Sequence, residues 1–237
     1  VRAAVGFLTV FGGARTPDDR TLRWFPLVGT LLGLAVGGLW WGATEIWPPA
    51  VAAALAVSAD LVLTGMLHFD GLSDSADGLL PPLGSRERRL EVMRDPRSGA
   101  FGVTVVVMTL VLRVVTLTAI EPHALALAAL WCTSRSLIAV AALTLCYARS
   151  DGLAAAFLGP DRRAATAVVV GTGAPLAIVL AWPVGSEAIL GVVVTVLIGA
   201  AVLWFGVQRL GGFTGDVLGA AAVVAESGGL LVLAARW

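Results

Sequence analysis

Charge is what this sequence has least of. Only 14% of its 237 residues are Asp, Glu, Lys or Arg, where soluble domains carry about 25%. Lysine is missing altogether, so all sixteen basic residues are arginines. With a formal net charge of zero, what matters is where the charges lie along the chain, and no nucleic-acid partner is expected. The two cysteines, Cys132 and Cys146, fall in one apolar run and stand about 21 Å apart along a helix axis. That separation excludes a disulfide. No CxxC or Cys/His spacing offers a zinc site, and the two histidines, His68 and His123, are isolated and read as structural or exposed. Internal repeats, low-complexity tracts and linkers are also missing, so residues 1–237 form one domain.

What fills the chain is apolar: 58% of residues are hydrophobic and the mean hydropathy is +0.90. This is the composition of an integral membrane protein. Windows of about 19 residues place spans near 28–46, 50–67, 101–120, 124–147, 165–182, 187–205 and 217–234. Runs such as 101–112 lack the alternation of barrel strands, so an all-α bundle of about seven transmembrane helices is expected. The opening "VRAAVGFLTVFGG" reads as an interfacial or partly inserted helix rather than a signal peptide. Arg2, Arg15, Arg20 and Arg23 precede the first span. Arg86, Arg88, Arg89, Arg94 and Arg97 lie between the second and third, Arg149, Arg162 and Arg163 after the fourth, and Arg209 before the seventh. All four groups fall on one side, with Arg236 alone on the other, which places the N-terminus in the cytoplasm. Trp40, Trp41, Trp47, Trp182 and Trp237 read as interfacial anchors at the opposite ends.

The connector 68–100 is long for a bundle and holds the polar chemistry. Its "HFDGLSDSADGLL" places Asp70, Asp74 and Asp77 within a 60° wedge of one helical face, at 100° per residue. Three such carboxylates repel unless a cation neutralises them, and oxygen-only ligands suit Mg²⁺. A solvated acidic face is the alternative. Gly71 and Gly78 would let a phosphate approach the backbone. Next comes "RRLEVMRDPRSGAFG", with Glu91, Arg94 and Asp95 on one side of a turn that Pro96 ends. Arg94 and Arg97 have the fork that suits phosphate oxygens, whereas Arg86, Arg88 and Arg89 read as anchors. Inside the spans, Asp60, Arg113, Arg135 and Glu226 must face the bundle interior, either as ion pairs or towards a substrate. Finally, "LGGFTGD" is a glycine-rich turn ending in Asp216, either a phosphate-binding helix start or a turn capped by Thr214.

Taken in order, "FLTV", "WFPLVGTLLG", "HFDGLSDSADGLL", "RRLEVMRDPRSGAFG", "YARSDGLAAAF" and "LGGFTGDVLGAA" resemble the cobalamin synthase (adenosylcobinamide-GDP ribazoletransferase) family over nearly the whole chain. Two departures are mild: "VFGGART" stands where a Pro-containing stretch is common, and Ser73 where Ala is frequent. The resemblance implies a Mg²⁺-dependent membrane transferase that joins α-ribazole, or its 5′-phosphate, to adenosylcobinamide-GDP with release of GMP. It implies metal ligation by Asp70, Asp74 and Asp77, phosphate contacts from Arg94 and Arg97, and a base in Asp95 ahead of Asp216. It also implies substrate contacts from Glu91 and a vestibule on the cytoplasmic face lined by Arg135 and Glu226. It further implies the bilayer of a bacterial or archaeal cytoplasmic (inner) membrane as the surroundings, and a homo-oligomer stays open. Two rival enzyme classes also use clustered aspartates, CDP-alcohol phosphotransferases and intramembrane prenyltransferases. The first lacks its second D-x3-D here, and the second its later aspartate-rich motif. A secondary transporter would need an inverted repeat that these uneven spans do not show.

Overall fold

The computed structural model describes residues 1–12, 18–149 and 161–235. Arg15, Arg236, Trp237 and residues 150–160 of the fourth connector lie outside them. Among the described residues the named elements are all helices: α1 Arg2–Leu8, α2 Asp19–Leu22, α3 Phe25–Thr44, α4 Pro49–Leu63, α5 Leu67–Leu79, α6 Arg86–Val92, α7 Ala100–Thr118, α8 Ala124–Thr144, α9 Arg162–Ala181, α10 Ser186–Leu210 and α11 Gly215–Ala234. The helix boundaries follow local chemistry. Pro26 and Pro49 sit in the first turns of α3 and α4, where no N–H is needed. Ser85 caps α6, and Thr214 caps α11 by accepting from the Val217 amide. Gly211, at a φ of 69°, ends α10.

Six helices, α3, α7, α8, α9, α10 and α11, are long and apolar enough to cross a membrane. The span expected at 50–67 is different. Its helix α4 has 15 residues, about 22 Å at 1.5 Å per residue, short of a hydrocarbon core of about 30 Å. The chain then turns through left-handed Gly65 (φ 58°) and Met66 (φ 59°) and continues as α5, bent 89° from α4. Helix α5 therefore turns across one end of the bundle, and the bent pair of α4 and α5, taken as one broken span, brings the number that could cross to seven.

The centre of the bundle is α8 and α11, both largely buried, while α7, α9 and α10 turn most of their surface outward. On α7 and α10 that outer surface is Val103, Val107, Met108, Val111, Val193, Leu197 and Trp204, a face suited to lipid. Helix α3 packs closely on α8 because Gly29, Gly33 and Gly37 recur every fourth residue. A Cβ at these positions would meet Trp131 O at 2.5 Å, Ala128 Cα at 2.5 Å and Ala124 Cα at 2.6 Å. Trp41, Trp47 and Trp182 are exposed as interfacial anchors would be, but Trp40 is 1% exposed and belongs to the core. Its place on the α8-facing side of α3 overrides the general habit of tryptophan.

The charges inside the spans form one network. Arg113 of α7 donates to Asp60 Oδ2 of α4 at 3.0 Å, to Glu226 Oε2 of α11 at 2.8 Å and to Ser227 Oγ at 2.9 Å. Trp131 Nε1 closes on Asp60 Oδ1 at 3.0 Å, and Arg135 of α8 pairs with Glu226 Oε1. Arg135 and Glu226 are each 1% exposed. The expectation that they line a substrate vestibule is revised: each is fully enclosed and neutralised by its partners, so they tie α4, α7, α8 and α11 together.

Candidate functional site

The site lies at the end of the bundle that α5 crosses. Helix α5 is amphipathic, with Phe69, Leu72, Ala76 and Leu79 buried against the bundle. Asp70 is exposed on its other side, and Asp74 and Asp77 are half-buried. Gly71 sets the height of α5 over α11. A Cβ there would meet Asp216 O at 2.8 Å and its Cα at 2.9 Å, so only glycine lets the two backbones touch. The glycine serves this contact rather than a phosphate approach. The contact brings Asp216, in the first turn of α11, beside the α5 carboxylates. The space at Gly78 is likewise filled by protein, since a Cβ on it would collide with the Met93 side chain.

Asp77 is fixed from the next element. Its carboxylate accepts from the Gly99 amide at 2.7 Å and the Gly102 amide at 2.9 Å. These amides open α7, where N–H groups have no helical partner, so Asp77 tethers α5 to the start of α7. Arg89 is buried and, instead of anchoring at the interface, donates to the carbonyls of Gly78, Leu79, Pro81 and Leu83. It thereby closes the C-terminal end of α5, which Arg209 supports with a 2.6 Å bond to Leu79 O.

A second tether comes from the segment after α8. Phe213 N donates to Cys146 O and Ala148 N to Phe213 O, both at 2.8 Å, a short parallel bridge between Tyr147 and Phe213. It carries Arg149 to Asp216, where Arg149 Nη2 donates to Oδ2 at 2.7 Å. Arg149 is the functional candidate that sequence reasoning passed over as a topology marker, and His68 was set aside as isolated. Both line a cavity of about 190 Å³ with Phe7, Phe25, Asp70, Tyr147 and Asp216. The signals in the sequence are the place of His68 beside Asp70 in "HFD" and of Arg149 within "YARSDGLAAAF".

The carboxylates are strongly coupled. Burial, then the negative charges of Asp216, Asp70 and Asp77, push Asp74 up to about 7 from an ordinary 3.8. Such a surplus of negative charge, offered by oxygen donors alone, is the chemistry a hard divalent cation answers. The side chains are not closed around one point: among the described residues no group of three or more His, Cys, Asp or Glu is arranged to hold a metal ion. Asp77 is turned to the α7 amides, which leaves Asp70 and Asp74 as the pair with the donor chemistry for Mg²⁺.

The "RRLEVMRDP" residues sit apart from the cavity lining. Glu91 pairs with Arg88 at 2.7 Å on the surface. Asp95 accepts from Arg97 Nε at 2.9 Å, Nη2 at 2.7 Å and the Arg97 amide at 3.0 Å. These bonds hold its carboxyl down at about 2. A group so acidic is a poor proton acceptor near neutrality, which counts against the expectation of Asp95 as the base. Arg94 is exposed.

Comparison with known proteins adds an independent line. The family model described as Cobalamin-5-phosphate synthase matches residues 1–234. Proteins named adenosylcobinamide-GDP ribazoletransferase are similar over nearly their whole length. The one from Ralstonia nicotianae is 40% identical, covering 98% of this chain and 88% of the relative. That from Bradyrhizobium diazoefficiens is 36% identical, covering 99% and 93%, and that from Pseudomonas fluorescens 34%, covering 94% and 91%. No solved structure matches the chain.

Proposed function

The chain belongs to the cobalamin-5-phosphate synthase family, and from that premise we propose that it is a Mg²⁺-dependent transferase joining α-ribazole, or its 5′-phosphate, to adenosylcobinamide-GDP with release of GMP. The observation that carries the proposal is the electrostatic grouping of Asp74 with Asp216 and Asp70, which together with burial raises Asp74 to about 7, beside a cavity that Asp70 and Asp216 line. Asp70 and Asp74 would hold Mg²⁺, which supplies Lewis-acid neutralisation of a diphosphate when bound. Two carboxylates, with waters and substrate oxygens, are the usual complement for this ion.

The chain's own groups then have distinct tasks. Asp216 accepts the proton of the attacking ribose hydroxyl. That oxygen bonds to the phosphorus nearer the corrinoid, the bond from this phosphorus to the bridging oxygen breaks, and GMP leaves with the bridging oxygen. Arg149 orients Asp216 through their 2.7 Å bond and adds positive charge beside the phosphates. Arg94 and Arg97 meet the guanosine side of the donor from the surface. Asp77 and Arg89 position α5 and touch no substrate. Arg23, Arg86, Arg88, Arg94, Arg97, Arg149, Arg162 and Arg209 lie in or next to the connectors that flank the site, a bias that supports a cytoplasmic face for it.

The test is release of GMP by purified protein supplied with both substrates. Release should require Mg²⁺ and stop with a chelator. Asp74→Asn should lower it at least 100-fold while the variant remains folded and extractable in detergent. Release that ignores both the chelator and the substitution would end this reading.

A further inference from the structure

We infer that the cavity beside Asp70 and Asp216 seats the aromatic base of the acceptor nucleoside, with Phe7, Phe25 and Tyr147 as its walls. The inference rests on the transferase reading and adds to it which substrate enters the protein and which stays outside.

Size gives the first argument. At about 190 Å³ the cavity is smaller than the roughly 300–1,000 Å³ that drug-sized ligands occupy. It has room for a bicyclic ring, and a corrin macrocycle cannot enter.

Polarity gives the second. Of the two bicyclic rings in the reaction, guanine is rimmed with donors and acceptors, whereas the benzimidazole of α-ribazole has an apolar body. Phe7 and Phe25 stack with ring centroids 5.9 Å apart at 25°, and Tyr147 is held close by its backbone bridge to Phe213. Guanine placed among these walls would turn polar edges to aromatic carbons and lose the hydrogen bonds it makes in water. A benzimidazole has a single ring-nitrogen acceptor to satisfy, and its apolar body gains stacking.

The third argument is the placement of the polar groups. Asp70, Asp216, Arg149 and His68 share the cavity with the aromatic walls, so a nucleoside with its base among the rings carries its ribose to the carboxylates. His68 Nδ1 and Arg149 Nε are buried without hydrogen-bond partners, leaving unmet bonding capacity beside this ligand. Helix α1 also gains a purpose. Its Ala4 and Leu8 are fully buried, and this anchorage delivers Phe7 to the cavity.

The test compares two acceptors, the nucleosides of 5,6-dimethylbenzimidazole and of unsubstituted benzimidazole, with the same GDP-linked donor. Phe7→Trp narrows the cavity and should raise KM at least tenfold for the dimethyl acceptor and under threefold for the smaller one, with donor KM within twofold of wild type. Tyr147→Leu, at the other wall, should raise KM for both acceptors and leave donor KM alone. Wild-type acceptor KM in both variants, or a change in donor KM instead, overturns the assignment. If wild-type protein releases no GMP, the transferase reading itself falls. The subsite is then judged by calorimetric titration of α-ribazole into the folded protein. Binding that Phe7→Trp weakens supports the subsite, and no heat with wild type overturns it.

Discussion

Glu226 of α11 accepts from Arg113 of α7 at 2.8 Å, with side chains 1% and 2% exposed, inside the apolar bundle. Because Arg135 shares the same carboxylate, Glu226→Ala leaves two enclosed guanidinium groups short of a counter-charge. Removing one partner of a buried pair typically costs about 3–5 kcal/mol. Thermal unfolding in detergent should drop sharply for Glu226→Ala, and any protein that still folds should keep its KM for both substrates. An unchanged unfolding temperature would show that the network is not what ties these helices.

Asp77 should act on structure at a distance of two elements. Loss of its bonds to the Gly99 and Gly102 amides removes two charge-assisted bonds, each worth about 1.5–3 kcal/mol. Asp77→Ala should therefore speed hydrogen exchange at Gly99 and Gly102 by at least tenfold and leave α9 amides unchanged. Unaltered exchange at both glycines would count against the tether.

Gly71→Ala is expected to damage the site without touching a charge. The added Cβ meets backbone atoms of Asp216 at 2.8–2.9 Å, so α5 must lift from α11, an overpacking typically worth about 1–3 kcal/mol. Activity should fall at least tenfold. The control is Gly38→Ala, which meets nothing within 4 Å and sits inside α3, where alanine is favoured by roughly 0.5–1 kcal/mol. Equal behaviour of the two variants would refute the close-contact argument.

The sequence announces the helices because apolar length is a local property, and it announces Asp70 and Asp74 because their spacing on one helix is local too. What it hides is where distant segments meet. The break at Gly65 and Met66 lies inside an apolar stretch, so hydropathy runs straight through the point where α4 stops. Arg89 looks like any interfacial arginine until the four carbonyls it caps are assembled around it. Asp95 looks like a base until Arg97, two residues on, folds back on it. Asp216 and Arg149 are 67 positions apart, and only the bridge at Tyr147 and Phe213 puts them together. The interior charges carried half of their own meaning: their cost in lipid required partners, but which of them paired with which belongs to the packing.

The raised Asp74 carboxyl makes a prediction in which metal and proton compete. A folded-state value of about 7 against an ordinary 3.8 means that, between these pH values, the metal-free fold binds a proton that the unfolded chain has released. Stability from this group is therefore complete below about pH 4 and is lost as pH rises through 7. Metal-free protein should unfold at progressively lower temperature from pH 5 to pH 7.5. Mg²⁺ acts in the opposite sense, because it binds the ionised pair and must displace that proton. Its apparent affinity should climb about tenfold per pH unit below 6 and level off above 8, measured by calorimetric titration. Added Mg²⁺ should then raise the unfolding temperature at pH 8 and leave it nearly unchanged at pH 5. In Asp74→Asn both slopes should flatten. A Mg²⁺ affinity independent of pH in the wild type would remove Asp74 from the ion's ligands.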